Sequence, residues 1–171
     1  MFKRGVSPVV ATVLLLVITV VLASVIFAFV VPFVNKQLGN SKACLNVLDS
    51  VEFPDSRFNC YKTTTTGFEN GFSVKIKKSG VASVRVALID ANGGSDVKDI
   101  KPNGPDDSEY RMVGVGYGLP LDFPTVGGQK SYVTKKNKYS RGEISPITDS
   151  NDVCAVSDTV EFTPCTSDVV L

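Results

Sequence analysis

The sequence predicts an α+β chain, with one long N-terminal hydrophobic α-helix followed by a C-terminal antiparallel β-sandwich-like domain. Three observations predict it. Val9 to Val34 is a run of 26 residues without a single charge, past the roughly 18 that mark a membrane-spanning helix. Beyond it, apolar and polar residues alternate in short runs, among them Phe72, Val74, Ile76 and Val84, Val86, Leu88. That is the period of strands buried on one face. Turn residues separate those runs, and four cysteines, all downstream of the helix, flank them.

As a helix the apolar run is about 39 Å long, more than the roughly 30 Å hydrocarbon core of a bilayer. Inserting each Val, Leu, Ile or Phe is favourable by roughly 0.3–0.6 kcal/mol. Ser7 is placed to cap the helix, and Pro8 suits a first turn that needs no amide donor. Pro32 removes one backbone hydrogen bond and predicts a kink. Gly39-Asn40 predicts the C-terminal stop. Ala11, Thr12, Thr19, Ala23, Ser24 and Ala28 are small or hydroxyl-bearing. They permit close helix approach, and their hydroxyls are equally able to bond their own backbone.

The 171 residues carry a net charge of +1, no His and no Trp. The balance argues against a nucleic-acid surface, which needs clustered Lys and Arg. Without His, imidazole acid–base chemistry and His metal sites are excluded. Lys3 and Arg4 precede the run and Lys36 is the first charge after it, so the leader is expected in the cytoplasm and the bulk of the chain outside. An exported domain with Cys44, Cys60, Cys154 and Cys165 is expected to form disulfides. Closeness in sequence favours Cys44–Cys60 and Cys154–Cys165 among the three possible connectivities.

Along the exported part, Cys44 to Phe53 reads as a strand and Pro54-Asp55-Ser56 as a turn. Thr63 to Gly67 reads as an exposed loop or edge. The runs Phe72–Ile76 and Val84–Leu88, joined by Lys78-Ser79-Gly80, read as a hairpin whose apolar face needs a covering layer. Asp90 to Asp96 carries oxygen ligands two apart but lacks the acidic twelfth position of a calcium loop, so a turn is favoured. Val113 to Gly118 spaces glycines like a phosphate loop without its Lys, which favours a flexible strand or bulge. Leu119 to Val126 suits a sheet edge, and Lys130 to Thr134 a strand. Lys135, Lys136, Lys138 and Arg141 read as a solvated basic loop beside Tyr139. Val156, Val160 and Phe162 suggest a closing strand between the last two cysteines. Asp106 and Asp107 sit in a Pro/Gly loop rather than an apolar cleft, and no Ser–Lys or carboxylate pair forms a recognisable catalytic set. No enzymatic activity, catalytic residue, metal or cofactor is expected.

An ordinary cleaved secretory signal has a core shorter than this one. No Cys follows Leu22-Ala23-Ser24, which rules out a lipoprotein signal. An uncleaved anchor fits the length. Lys3-Arg4-Gly5, then Val6-Ser7-Pro8-Val9-Val10-Ala11-Thr12, then the long helix with Ile18-Thr19-Val20-Val21-Leu22-Ala23, resembles the class III signal of archaeal type IV pilins. The resemblance covers about the first 35 residues. It implies recognition of Lys3 and Arg4 by a prepilin peptidase and a cut between Gly5 and Val6. Residues 1–5 are then the leader, 6–39 the helix of the membrane and filament core, and 40–171 the exported β-rich domain.

The same resemblance implies a structural subunit that polymerises through Pro8, Val10, Leu14, Leu15, Ile18, Leu22, Ile26 and Phe29. Bacterial relatives carry Glu at the fifth mature position, where this chain has Val10, so apolar packing must set its register. The implied partners are further copies of the chain in a helical filament, the prepilin peptidase, an assembly ATPase and a membrane platform protein. The protein is expected in the cell membrane before assembly and on the cell surface afterwards, serving adhesion. A monomeric single-pass surface binding module is the alternative from another class. A minor pilin or an archaellin-like subunit lies between the two.

Overall fold

A computed structural model describes residues 8–171 and divides the chain into two compact units, Met1–Lys42 and Ala43–Leu171. The apolar run is helical throughout. Helix α1 spans Pro8–Val25, a π-helical turn covers Ile26–Val30, and helix α2 spans Val31–Val47. The π turn sits where Pro32 acts. The proline ring crowds the carbonyl four residues back, that of Ala28, and has no N–H to donate to it. A wider turn at that point relieves the crowding.

The helix does not stop at Gly39-Asn40. A single glycine inside a helix costs only about 1 kcal/mol relative to alanine, and Gly39 is not in the left-handed region. The left-handed residue that closes the helix is Asp49, with φ 56°, and Ser50 N–H donates to the Val47 carbonyl at 3.1 Å. The strand expected from Cys44 to Phe53 is therefore reduced to β1, Val51–Glu52. Cys44 and Val47 are turned toward protein while Leu45 and Asn46 are exposed, a helical rather than an alternating pattern.

The remaining strands are β2 (Cys60–Thr64), β3 (Gly67–Ile76), β4 (Ser83–Asp90), β5 (Ser95–Ile100), β6 (Asp106–Asp107), β7 (Tyr110–Met112), β8 (Leu119–Pro120), β9 (Gln129–Thr134), β10 (Tyr139–Ile147), β11 (Asp158–Glu161) and β12 (Thr163–Pro164). One sheet has the order β12-β2-β3-β9-β7 with β1 also on β3, a second β11-β10-β4-β5, and β6 pairs β8. All pairs are antiparallel except β12 with β2.

The apolar residues of Phe72–Ile76 and Val84–Leu88 are buried as the alternation predicts, with Ser73 on the other face of the first run buried as well, but the two runs are not hairpin partners. β3 pairs β2 and β9, while β4 pairs β5 and β10. The linker from Lys77 to Ala82 carries the chain from one sheet to the other. Phe72, Val74 and Ile76 then share one core with Val84, Val86, Leu88 and Ile144. Each sheet is thus the covering layer of the other. Phe72 anchors that core, edge-on to Tyr110 at 6.4 Å and tilted against Tyr132 at 5.5 Å.

A second small cluster joins Cys60, Val133, Val169 and Leu171. Gly71 is its tight point. A methyl group there would lie 2.4 Å from the Phe58 carbonyl oxygen and 2.5 Å from Leu171 Cδ2. Gly71→Ala is expected to destabilise the full chain by about 1–3 kcal/mol. A lower urea midpoint in detergent with an unchanged slope checks it, and an unchanged midpoint contradicts the packing.

Both disulfides cross the domain rather than joining sequence neighbours. The bonds are Cys44–Cys154 and Cys60–Cys165, spanning 110 and 105 residues. The expected local pairs Cys44–Cys60 and Cys154–Cys165 are corrected by topology. Strand β12 lies parallel to β2, Thr163 opposite Cys60, and Cys165 N–H donates to the Tyr61 carbonyl at 2.9 Å. That pairing places Cys165 beside Cys60 and leaves Cys154 for the end of α2.

Candidate functional site

Pro8–Asn35, 28 residues, is long and apolar enough to cross a membrane; its most apolar 18 residues have a mean hydropathy of 3.2, and none of those is buried within the chain. Its apolar residues surround the helix rather than forming one stripe, so no side of it is suited to water. Pro8, Val10, Leu14, Leu15, Ile18, Leu22, Ile26 and Phe29 are all exposed, with Ile18 at 49% and Phe29 at 70%. Val10, Ala11, Leu14, Leu15, Ile18 and Thr19 line one shallow apolar groove along α1. The i, i+4 spacing of Val10, Leu14 and Ile18 sets one wall of it.

The hydroxyls on this helix are satisfied internally. Thr12 Oγ1 donates to the Val9 carbonyl at 2.9 Å, Thr19 to Leu16 at 2.9 Å and Ser24 to Val21 at 2.7 Å. Each hydroxyl bonds back to its own turn. This leaves the outer surface of the helix apolar. Lys3, Arg4, Gly5 and Val6, the expected processing site, and the Ser7 cap lie outside the described residues.

In the β-rich unit the Asp90–Gly94 turn is closed by its first residue. Asp90 Oδ1 accepts the N–H groups of Asn92 at 2.8 Å and Gly94 at 2.9 Å, and Gly93 has φ 86°. Asp96 lies beyond that turn, in β5. Its carboxylate accepts the Tyr139 hydroxyl and pairs with Lys136 at 3.2 Å, and the two together hold it below the usual carboxylate range. Lys136 also meets Glu109 at 2.8 Å, and its ammonium is pushed above the usual lysine range.

Lys135, Lys138 and Arg141 are exposed, as a solvated basic stretch requires, and Lys136 is the one of the four that is partly buried. Lys138 rests over Tyr61 and Lys135 over Tyr117, and Arg141 pairs with Glu143 at 2.8 Å. Tyr139 is buried.

Asp107 departs from its reading as a loop carboxylate. It is buried at 6% exposure. Burial raises its pKa, but Lys98 and the N–H groups of Tyr110 and Glu109 outweigh that and hold it below the ordinary value. A carboxylate ionised and saturated with donors in this way is a structural anchor.

Val113 to Gly118 is a turn rather than a strand. β7 ends at Met112, and Gly114 and Gly118 take φ of 79° and 83°. This turn presents Tyr117 to a cleft of about 500 Å³ lined by Thr64, Thr66, Phe68, Glu69, Tyr117 and Lys135. Sequence reading did not find this cleft. Its walls come from the adjoining ends of β2 and β3 with the turn between them, the loop after β7 and the residue after β9, and no local motif links them.

Residues 4–38 match the family model of the archaeal type IV pilin N-terminal domain. No curated protein and no solved structure matches the chain.

Proposed function

We propose, from the match of residues 4–38 to the archaeal type IV pilin N-terminal domain, that the chain is a structural, non-enzymatic subunit of a type IV pilus-like surface filament. A prepilin peptidase that recognises Lys3 and Arg4 removes Met1–Gly5 and leaves Val6 at the new N-terminus. The helix then waits in the bilayer until an assembly ATPase and a membrane platform protein pass it into the core of a homopolymer. There, apolar packing through residues such as Leu14, Leu15, Ile18 and Leu22 replaces lipid contact. The β-rich domain faces outward and serves adhesion.

One observation carries this reading. Pro8–Asn35 is apolar on every side and unburied by its own chain, and its hydroxyls are already bonded internally. Such a helix is suited first to lipid tails and then to copies of itself. The absence of an acid at Val10 is consistent with register set by shape alone.

Gly5→Trp tests the processing step. In the native cell the variant is expected to keep Met1 and to yield no sheared fibres, by N-terminal sequencing and electron microscopy. Mature protein that still begins at Val6 would show that the cut is misassigned.

A further inference from the structure

We propose that the cleft between the β2–β3 turn and the Tyr117 loop binds a carboxylate-bearing saccharide. Its volume of about 500 Å³ lies within the roughly 300–1,000 Å³ of small-molecule sites. A bare oxoanion would leave most of it empty. The lining combines two ring systems, two hydroxyls and charge. Phe68 offers apolar surface to the C–H face of a sugar ring, while the Tyr117 ring is covered by Lys135 and Arg111. Thr64 Oγ1 donates to the Gly67 carbonyl at 3.2 Å and keeps lone pairs for a sugar hydroxyl, and Thr66 is exposed beside it.

The charge selects an acidic guest. Arg111 lies behind Tyr117, its guanidinium carbon 5.2 Å from the ring centroid, and it reaches Glu69 at 3.5 Å. That carboxylate balances one cation. Lys135 is the second, exposed and resting on the Tyr117 ring at 4.4 Å rather than on an acid. Its neighbour Lys136 is already engaged by Asp96 and Glu109. With Glu69 of the lining engaged by Arg111 from behind, the Lys135 ammonium is the rim charge left without an acid, and a sugar carboxylate can reach it while the ring lies along Phe68. A neutral saccharide gains the stacking and hydroxyl contacts but not this charge-assisted bond.

The inference deepens the adhesion reading and rests on it. Binding by purified protein and fibre formation in cells are separate readouts, so either can fail alone. The test titrates the full chain in detergent micelles with trigalacturonate and with its neutral isostere, α-1,4-galactotriose. Trigalacturonate is expected to bind at about 1 mM or tighter, and the neutral sugar at least about tenfold more weakly. Lys135→Glu is expected to lose at least about tenfold in affinity for the acid. Lys78→Glu, which makes the same charge change outside the cleft, is expected to bind as the parent does. No binding of trigalacturonate, equal binding of the two sugars, or equal losses in the two variants each overturn the proposal.

Discussion

Ile18→Asp is expected to leave the protein in the membrane and abolish its fibres. One Asp at mid-helix costs roughly 2.5–3.5 kcal/mol of insertion free energy. The remaining Val, Leu, Ile and Phe residues of Pro8–Asn35 supply on the order of 5–10 kcal/mol, so the helix still inserts. In a filament the same carboxylate would be buried against neighbouring helices with no cation to meet it, since Val9 to Val34 has none. An uncompensated buried charge costs several kcal/mol in each subunit. The yield of sheared fibres should fall at least about tenfold, the effect of about 1.4 kcal/mol per subunit addition. Membrane fractionation and electron microscopy of sheared material read the two effects separately. Fibres at the parent's abundance would contradict polymerisation through α1. Loss from the membrane as well would mean that the insertion estimate is wrong.

Reduction of the disulfides is expected to cost the β-rich domain more than loss of a local staple would. In the chain-entropy model a bridge closing a loop of about 100 residues contributes about 4.7 kcal/mol, against about 3 kcal/mol for a loop of about 15. Both bridges here are of the long kind. The two should differ in character. Cys60–Cys165 joins β2 and β12, already hydrogen-bonded neighbours. Cys44–Cys154 holds the last turn of α2, including buried Val47, against the connection after β10. Cys44→Ser with Cys154→Ser should therefore expose the backbone amides from Ala43 to Val47 to hydrogen exchange before the sheets open. Cys60→Ser with Cys165→Ser should lower the thermal midpoint of the whole domain by about 10 °C or more. Peptide mapping without reductant checks the premise. A peptide joining Cys44 to Cys60 would sink it, as would a reduced protein that melts with the oxidised one.

Local pattern made much of this molecule legible. An uncharged run of 26 residues has one stable solution in lipid, a helix whose backbone groups bond within the segment. Alternation marked the buried faces at Phe72, Val74, Ile76 and at Val84, Val86, Leu88, because side chains on a pleated strand point alternately to either side. The same pattern is silent about which strand lies next to which. The two runs proved to belong to opposite sheets, since an apolar strand face is equally well covered by a hairpin partner's neighbours or by a facing layer. The end of α2 escaped the Gly39 signal because the packing of Val47 and the bridge at Cys44 outweigh the small helix penalty of one glycine.

By itself the sequence determined where the membrane helix lies, which residues face the core, and the likeness of its first residues to archaeal type IV pilins. Only the tertiary structure decided the disulfide partners, the assignment of strands to sheets, the burial of Asp107 and the cleft around Tyr117. The division has one physical cause. Hydrophobic periodicity and turn chemistry act over a few residues, whereas a disulfide across 110 residues, or a cleft built from three separate segments of the chain, depends on distances that exist only once the strands have paired and packed.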